Sequence, residues 1–162
     1  MKKGLVLLVL LAIVLSACGG AGGGGANGAP KVDWKVSISG AVSNPLTLTY
    51  ADLAKRPQVT LTDVVMRRSQ GEETKNNWSG PALEAILKDA GVSSKATGIT
   101  CLAKDGYAMQ MTMDDIKNAI IALKQDDKWI NTDTKSGPVR MLAPDKTANF
   151  WVGQLIEIKV TE

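Results

Sequence analysis

The chain has 162 residues, with 19 lysines and arginines against 16 aspartates and glutamates, two cysteines and no histidine. Without histidine there is no Ser-His-Asp or Cys-His relay, no His-ligated zinc or haem, and no side chain whose ordinary pKa lies near neutrality. The length predicts one domain.

The first segment reads as a signal peptide: Lys2 and Lys3 lead into an apolar run from Leu5 to Leu15, followed by Ser16, Ala17 and Cys18. That run is too short to span a bilayer, which takes about 20 apolar residues in a helix. Leu15-Ser16-Ala17-Cys18 resembles the lipobox of bacterial lipoproteins. The resemblance implies removal of residues 1–17, a diacylglyceryl group on Cys18, and a lipid-anchored, extracytoplasmic location on the periplasmic or outer surface. A plain secretory signal would instead leave Cys18 a free thiol in an oxidising compartment.

Residues 18–30 form a tether behind the lipidated cysteine. Seven of the ten residues from Gly19 to Gly28 are glycine, a composition that buries nothing and keeps the backbone free. Its reach is roughly 20 Å by random-coil scaling. No strand precedes these glycines and no helix follows, so they do not form a phosphate cradle. Loss of Lys2 and Lys3 leaves 17 basic against 16 acidic groups, a balance that gives no electrostatic case for nucleic acid. The acyl chains hold the protein to its membrane.

The domain then runs over residues 31–162, long enough to bury a core without staples. Trp34–Gly40 alternates apolar and small polar residues as a half-buried strand does, and Asn44-Pro45 turns the chain. Thr49–Leu53 reads as a helical turn running into Ala54–Arg56, and Val59–Val65 as a β-branched, alternating strand. Ser79 and Pro81 stand where a cap and a first turn belong, ahead of a helix with Leu83, Ile86 and Leu87 on one face and Gly91 as its stop. Gly98–Ala103 and Tyr107–Met111 flank Asp105-Gly106 as a hairpin. Cys101, inside the first of these strands, reads as a buried structural thiol. Asp114-Asp115-Ile116 opens a short helix; Ala119–Leu123 is a buried strand or the end of that helix. Asp126, Asp127 and Asp133 read as a solvated acidic loop, since the glycine and terminal glutamate of a calcium loop are missing. Trp129 and Trp151 read as core. Val139–Leu142 and Leu155–Val160 complete a β-rich α+β domain, a mixed, barrel-like sheet with short helices.

Five landmarks fall in a familiar order: Trp34…Gly40, Asn44-Pro45-Leu46-Thr47-Leu48-Thr49-Tyr50…Asp52-Leu53, Trp78-Ser79-Gly80-Pro81-Ala82-Leu83…Ile86-Leu87, Asp105-Gly106-Tyr107, and Gly137-Pro138-Val139-Arg140…Pro144. Together they resemble the molybdopterin-binding domain of the sulfite oxidase family, over about Asp33 to Val160. The resemblance implies a molybdopterin or pterin site and, in the family's enzymes, a molybdenum-ligating cysteine at the end of the strand matching Val59–Val65, with arginines after it. The family pattern Thr-Leu-x-Cys-x-x-x-Arg-Arg-Ser lies over Thr60–Ser69 with Asp63 in the cysteine's place. A hard carboxylate for a soft thiolate changes or abolishes metal binding, which puts molybdenum in doubt. Near the C-terminus the enzymes resemble Val-Lys-Trp-Leu, and this chain reads Val152-Gly153-Gln154-Leu155, without the lysine.

The ligand-binding residues carried over on this resemblance are Asp63, Arg67, Arg68, Trp78, Tyr107 and Arg140. Arginine gives bidentate contacts to anions, and an indole gives a wall for a pterin ring. Only one of the adjacent Arg67 and Arg68 faces a pocket if both lie on a strand. Trp78 and Tyr107 serve equally as packing. Arg140, costly to bury in a strand, calls for an anionic ligand or a paired carboxylate. Three functions follow: a pterin-binding lipoprotein without metal redox chemistry, a molybdenum-dependent oxygen-atom transferase, or a partner-binding envelope lipoprotein whose pocket is closed. The resemblance also implies that enzymes of the family leave the cytoplasm folded, behind a twin-arginine signal; Lys2-Lys3 without an arginine pair looks like an unfolded-export signal.

Overall fold

The computed structural model describes residues 28–68, 71 and 73–162; the expected signal peptide, Cys18 and the tether up to Asn27 lie outside the described residues, as does Ser69. Ala29, within the stretch read as tether, is buried against the main core. No helix among the described residues is long and apolar enough to cross a membrane.

The alternation of Val36 and Ile38 makes β1 (Lys35–Gly40), whose inward side chains are 1% exposed. After Asn44 the chain reverses into β2 (Leu46–Thr49), a strand where the sequence showed only a turn. Thr49 and Asp52 cap each other at the start of α1 (Tyr50–Lys55), which buries Tyr50, Leu53 and Ala54. A long hairpin follows, β3 (Gln58–Met66) and β4 (Thr74–Pro81), then α2 (Leu83–Asp89). Arg56 and Asp89 tie the ends of the two helices together at 2.5 Å. The second hairpin is β5 (Gly98–Ala103) and β6 (Ala108–Thr112). Short strands β7 (Ile120–Ala122), β8 (Lys124–Gln125), β9 (Lys128–Trp129) and β10 (Arg140–Leu142) precede the closing β11 (Leu155–Thr161).

These strands form three sheets. The largest has the order β2-β1-β11-β5-β6, with β11 parallel to β1 and antiparallel to β5, so the two ends of the domain lie side by side at its centre. The second has the order β3-β4-β8-β9, and β7 with β10 makes a two-stranded ribbon. The ribbon divides the interior. In the register Met141↔Ile121 and Leu142↔Ile120, side chains of Ile121 and Met141 point into the main core, and those of Ile120, Ala122 and Leu142 into a second core with Val64, Met66, Trp78, Ile130 and Trp151. Gly80 brings β4 against the ribbon: a Cβ there would meet the Ile121 carbonyl oxygen at 2.0 Å.

Three expectations are corrected, and the alternatives left open at Ala119–Leu123 are resolved. Ser79 and Pro81 belong to β4, and Ala82 precedes α2 without any side-chain cap, because burial of Trp78 and the Gly80 contact draw this stretch into the sheet. The helix expected at Asp114-Asp115-Ile116 is a run of turns; the Asp115 carboxylate is taken by the Thr112 N–H and by Lys146, and Asn118 at φ 59° ends the helical path. Ala119–Leu123 resolves as strand β7. The acidic loop is a hairpin turn between β8 and β9, with Asp126 and Asp127 both at positive φ and Asp126 accepting from Asn76 Nδ2 and the Asn77 N–H, each at 2.8 Å. Trp151 is core, as expected, whereas Trp129 is half-buried beneath Lys124 Nζ, 4.3 Å from its ring centre.

Gly80→Ala places a methyl group against backbone that has no room to retreat. Urea denaturation of the variant is expected to show a loss of about 1–3 kcal/mol, the usual cost of overpacking.

Candidate ligand-binding site

The pleat of β10 determines where its arginine goes. Arg140 pairs with Ala122, so its side chain shares the face of Leu142, Ile120 and Ala122 and lies over the second core. Its guanidinium carbon stands 5.4 Å from the Trp78 ring centre and 5.9 Å from that of Trp151. The two indoles meet edge to face at 80°, centres 5.9 Å apart. Trp151 is anchored by its Nε1–H, which donates to the Ala143 carbonyl at 2.8 Å. Trp78 is wholly buried, and among the described residues neither its Nε1 nor Arg140 Nε has a hydrogen-bond partner.

Among the described residues no carboxylate lies within 4.0 Å of Arg140. Burial lowers its pKa, the charge of Asp133 works against that shift, and the charge of Arg68 adds to it. The group remains a cation, since arginine does not deprotonate in proteins. A desolvated guanidinium costs several kcal/mol. Contact with the two indoles offsets part of that cost, about 2 kcal/mol or more where the pair is desolvated.

The other basic residues gather at the end of β3. Arg67 and Arg68 are exposed, and the Arg67 carbonyl accepts from the Ala148 N–H at 2.8 Å, which fastens the turn Ala148–Phe150 beside them. Tyr107 reaches the same turn: 42% exposed, it donates its hydroxyl to the Asn149 carbonyl at 2.7 Å. Lys146 anchors the loop from below through Asp115 at 2.5 Å. Lys146 and the Thr112 donors together hold the Asp115 carboxyl down to about 2.

The structure brings Trp78 and Arg140 into contact, sets Arg67 and Arg68 nearby, and places Tyr107 on the turn that adjoins them. Trp78 backs the guanidinium rather than offering a ring face to solvent. Asp63 lies apart. It sits at φ 56° in a β-bulge, its N–H donating to Asn77 Oδ1 at 2.9 Å and its exposed carboxylate paired with Lys75 at 3.2 Å. Two participants escaped the sequence reading. Trp151 looked like core alone, and Asp133 like a solvated acid; the cost of burying Arg140 without a carboxylate is the one sequence signal that bears on Asp133.

The residues fit the organic part of a pterin cofactor and do not fit its metal. The basic cluster and the Arg140 Nε, without an acceptor among the described residues, suit an anionic, hydrogen-bonding ring compound. Among the described residues the cluster holds no cysteine thiolate for molybdenum. Cys101 is wholly buried in the main core, on β5, and burial pushes its thiol up to about 12. No three Cys, Asp or Glu side chains come together as a ligand set among the described residues. The absent lysine is also explained by packing: a Cβ at Gly153 would stand 2.5 Å from the Lys135 carbonyl oxygen, so backbone occupies that space.

Comparison with known proteins supplies a family model, the oxidoreductase molybdopterin-binding domain, which matches residues 26–162. The NADH nitrate reductase of Ulva prolifera is 30% identical over 161 residues, covering 76% of this chain and 18% of that protein. The Volvox carteri NADH nitrate reductase is 29% identical over 171 residues, covering 83% and 20%. The chain therefore spans about a fifth of the length of these curated relatives. In three dimensions it is similar to the sulfane dehydrogenase SoxCD from Paracoccus pantotrophus, with a TM-score of 0.69 at 18% identity over 82% of this chain and 40% of that one. The β-rich mixed fold with short helices, expected from the sequence and here with two, is the fold of that structure's matching part.

Replacing Arg140 with methionine removes a charge that burial penalises by more than the indoles return. The ligand-free variant is expected to be more stable by on the order of 1 kcal/mol in urea denaturation. A separate expectation concerns acid. The folded pKa of Asp115 lies below its ordinary 3.8, so its contribution to stability is present above about pH 4 and is lost as the pH falls through about 2. Thermal melts between pH 2 and 5 should show a shallower pH dependence in Lys146→Met than in the parent protein.

Proposed function

This chain belongs to the oxidoreductase molybdopterin-binding domain family, and on that premise we propose that it is a lipid-anchored, extracytoplasmic protein that binds a pterin-like ligand without molybdenum redox chemistry. The observation that carries this reading is Arg140: a guanidinium held half-buried over two indoles, its Nε without a partner, with Arg67 and Arg68 nearby. A half-buried cation without an ion-pair partner costs the fold, whereas an anionic ligand gains a partly desolvated, pre-oriented donor. Arg140 would contact the ligand's anionic or carbonyl oxygen, Arg67 and Arg68 would steer it by charge, and Tyr107 would border the entrance. Molybdenum, when bound in a pterin cofactor, supplies two-electron oxygen-atom chemistry. Asp63 and Cys101 give that metal no thiolate here, which supports the non-redox reading.

The reading extends to location. Lys2-Lys3, the apolar run and the lipobox-like Leu15–Cys18 support a diacylglyceryl anchor on Cys18 and an extracytoplasmic position, within reach of an envelope protein partner. Cys18→Ser should shift the protein from the membrane to the soluble fraction and abolish labelling by a radioactive fatty acid.

The deciding experiment is native mass spectrometry with elemental analysis on the detergent-solubilised full-length protein, purified from an extract rich in pterins and molybdenum cofactor. A metal-free pterin adduct is the expected result. Molybdenum near one atom per chain would make the protein an oxidoreductase despite Asp63, and a bare chain would favour a partner-binding lipoprotein. Arg140→Ala is expected to weaken pterin binding about tenfold or more, the loss of one charge-assisted hydrogen bond. Unchanged affinity would remove Arg140 from the site.

A further inference from the structure

The sheet β3-β4-β8-β9 ends on β3, and among the described residues no strand pairs with the outer side of that strand. From Gln58 to Met66 no other backbone group of the described residues bonds to it either; the first outward contact is the Arg67 carbonyl, which accepts from Ala148. The first half of the strand is open. Gln58, Val59, Thr60 and Thr62 are exposed, and Val59, at 39%, is one of two large apolar side chains exposed among the described residues. Leu61 is half-buried at the rim of the second core.

The pleat settles which backbone groups are free. The Asn77 and Ser79 carbonyls accept from the N–H groups of Asp126 and Leu123, on the side of β8. Trp78 and Gly80 therefore turn theirs toward β3, where Leu61 and Val59 stand opposite them in register. By the same alternation Gln58, Thr60 and Thr62 present their N–H and carbonyl groups outward. Free edges are ordinarily blunted by charge, proline or a bulge. Here the guards stand only at the two ends: Pro57 before the run, and Asp63 after it, in a bulge with its N–H given to Asn77 Oδ1. The five residues between them carry no charge.

Those five residues are complementary to themselves. In antiparallel pairing about a two-fold axis at Thr60, Gln58 meets Thr62, Thr60 meets Thr60, and Val59 meets Leu61 of the second copy. The outward groups then bond in pairs, and Val59 and Leu61 fall at the closer, non-bonded positions on the second-core face, where each covers the other. Pro57 of one copy comes opposite the bulged Asp63 of the other, so the ladder ends at the same place from both sides. No other two-fold register does this. An axis at Gln58 brings Pro57 into the ladder, and an axis at Thr62 brings in the bulge.

We propose that β3 is a pairing edge for a second copy of this chain, joining two domains through Gln58–Thr62 into one continuous, isologous sheet. The inference does not depend on pterin binding. Five residues make a small interface, and the lipid anchor proposed above raises its effective concentration by confining both copies to one surface; that strengthening alone rests on the earlier reading.

Register-specific cross-linking of the detergent-solubilised full-length protein tests the pairing. Under copper phenanthroline, an equimolar mixture of Val59→Cys and Leu61→Cys proteins should give at least about fivefold more disulfide dimer than either variant alone, whose introduced thiols lie too far apart to bridge. The parent protein controls for Cys18 and Cys101. Sedimentation over a range of concentrations should show a monomer–dimer equilibrium whose dissociation constant Thr60→Pro raises about tenfold or more, since proline removes an outward N–H that β4 does not use. Val59→Lys, at an exposed position, should weaken the dimer likewise and keeps the test valid if T60P lowers the urea midpoint. Cross-links as abundant in V59C alone as in the mixture would overturn the inference. A parent protein that stays monomeric at every concentration would also overturn it, and would leave the edge to a strand of a different protein.

Discussion

The β7–β10 ribbon is the constraint on which the rest of this domain depends. Each of its strands has only three residues, and each serves two cores at once because successive side chains point to opposite faces. Ile121 and Met141 close the main core, while Ile120, Ala122 and Leu142 floor the second. A strand with both faces buried needs close neighbours on both, and Gly80 provides one by letting β4 approach the Ile121 carbonyl. The same alternation that seals the hydrophobic layers determines that Arg140, in register with Ala122, must project over the second core. The placement of the arginine is thus a by-product of the pleat, and its position over two indoles is what makes that placement tolerable.

Tolerable is not favourable. The second core would be more stable with an aliphatic side chain at position 140, since cation–π attraction returns less than desolvation removes. Such a residue is the kind of local conflict that a folded domain keeps where binding requires it. Around it the structure supplies rigidity rather than compensation: Trp151 is pinned to Ala143, Arg67 to Ala148, Tyr107 to Asn149, and Lys146 to Asp115. These contacts fix the loop that borders the arginines without spending any of their charge.

How much of this was legible in the sequence varies with how local its cause is. β5 matches its sequence bounds because six residues of small and apolar side chains between Thr97 and Lys104 admit little else, and β11 differs by one residue. β4 went unseen because Thr74–Asn77 is polar; that stretch is a strand only because β3 pairs with it. The Asp126-Asp127 turn was hidden for a related reason, since aspartate at positive φ is rare and shows itself only once Asn76 and Asn77 hold its carboxylate. Arg140 and Trp78 could be singled out as residues, but their contact arises from the register of β10 on β7. Asp63 was placed by analogy at a metal ligand's position, and its bulge and its pairing with Lys75 depend on β4, which the sequence had not revealed.

Topology bears on how the ligand would be acquired. β1 pairs with β11 across nearly the whole chain, so the central sheet cannot close until the last strand is available. The Met141 and Val152 backbones, which bond each other in both directions, likewise join the ribbon to the segment leading into β11. Arg140, Trp78 and Trp151 therefore belong to a core whose ribbon is bonded to the segment that leads into β11. A chain that crosses the membrane unfolded, as proposed from its lysine-led signal, would assemble this site only on the far side. Its ligand would then be one encountered there.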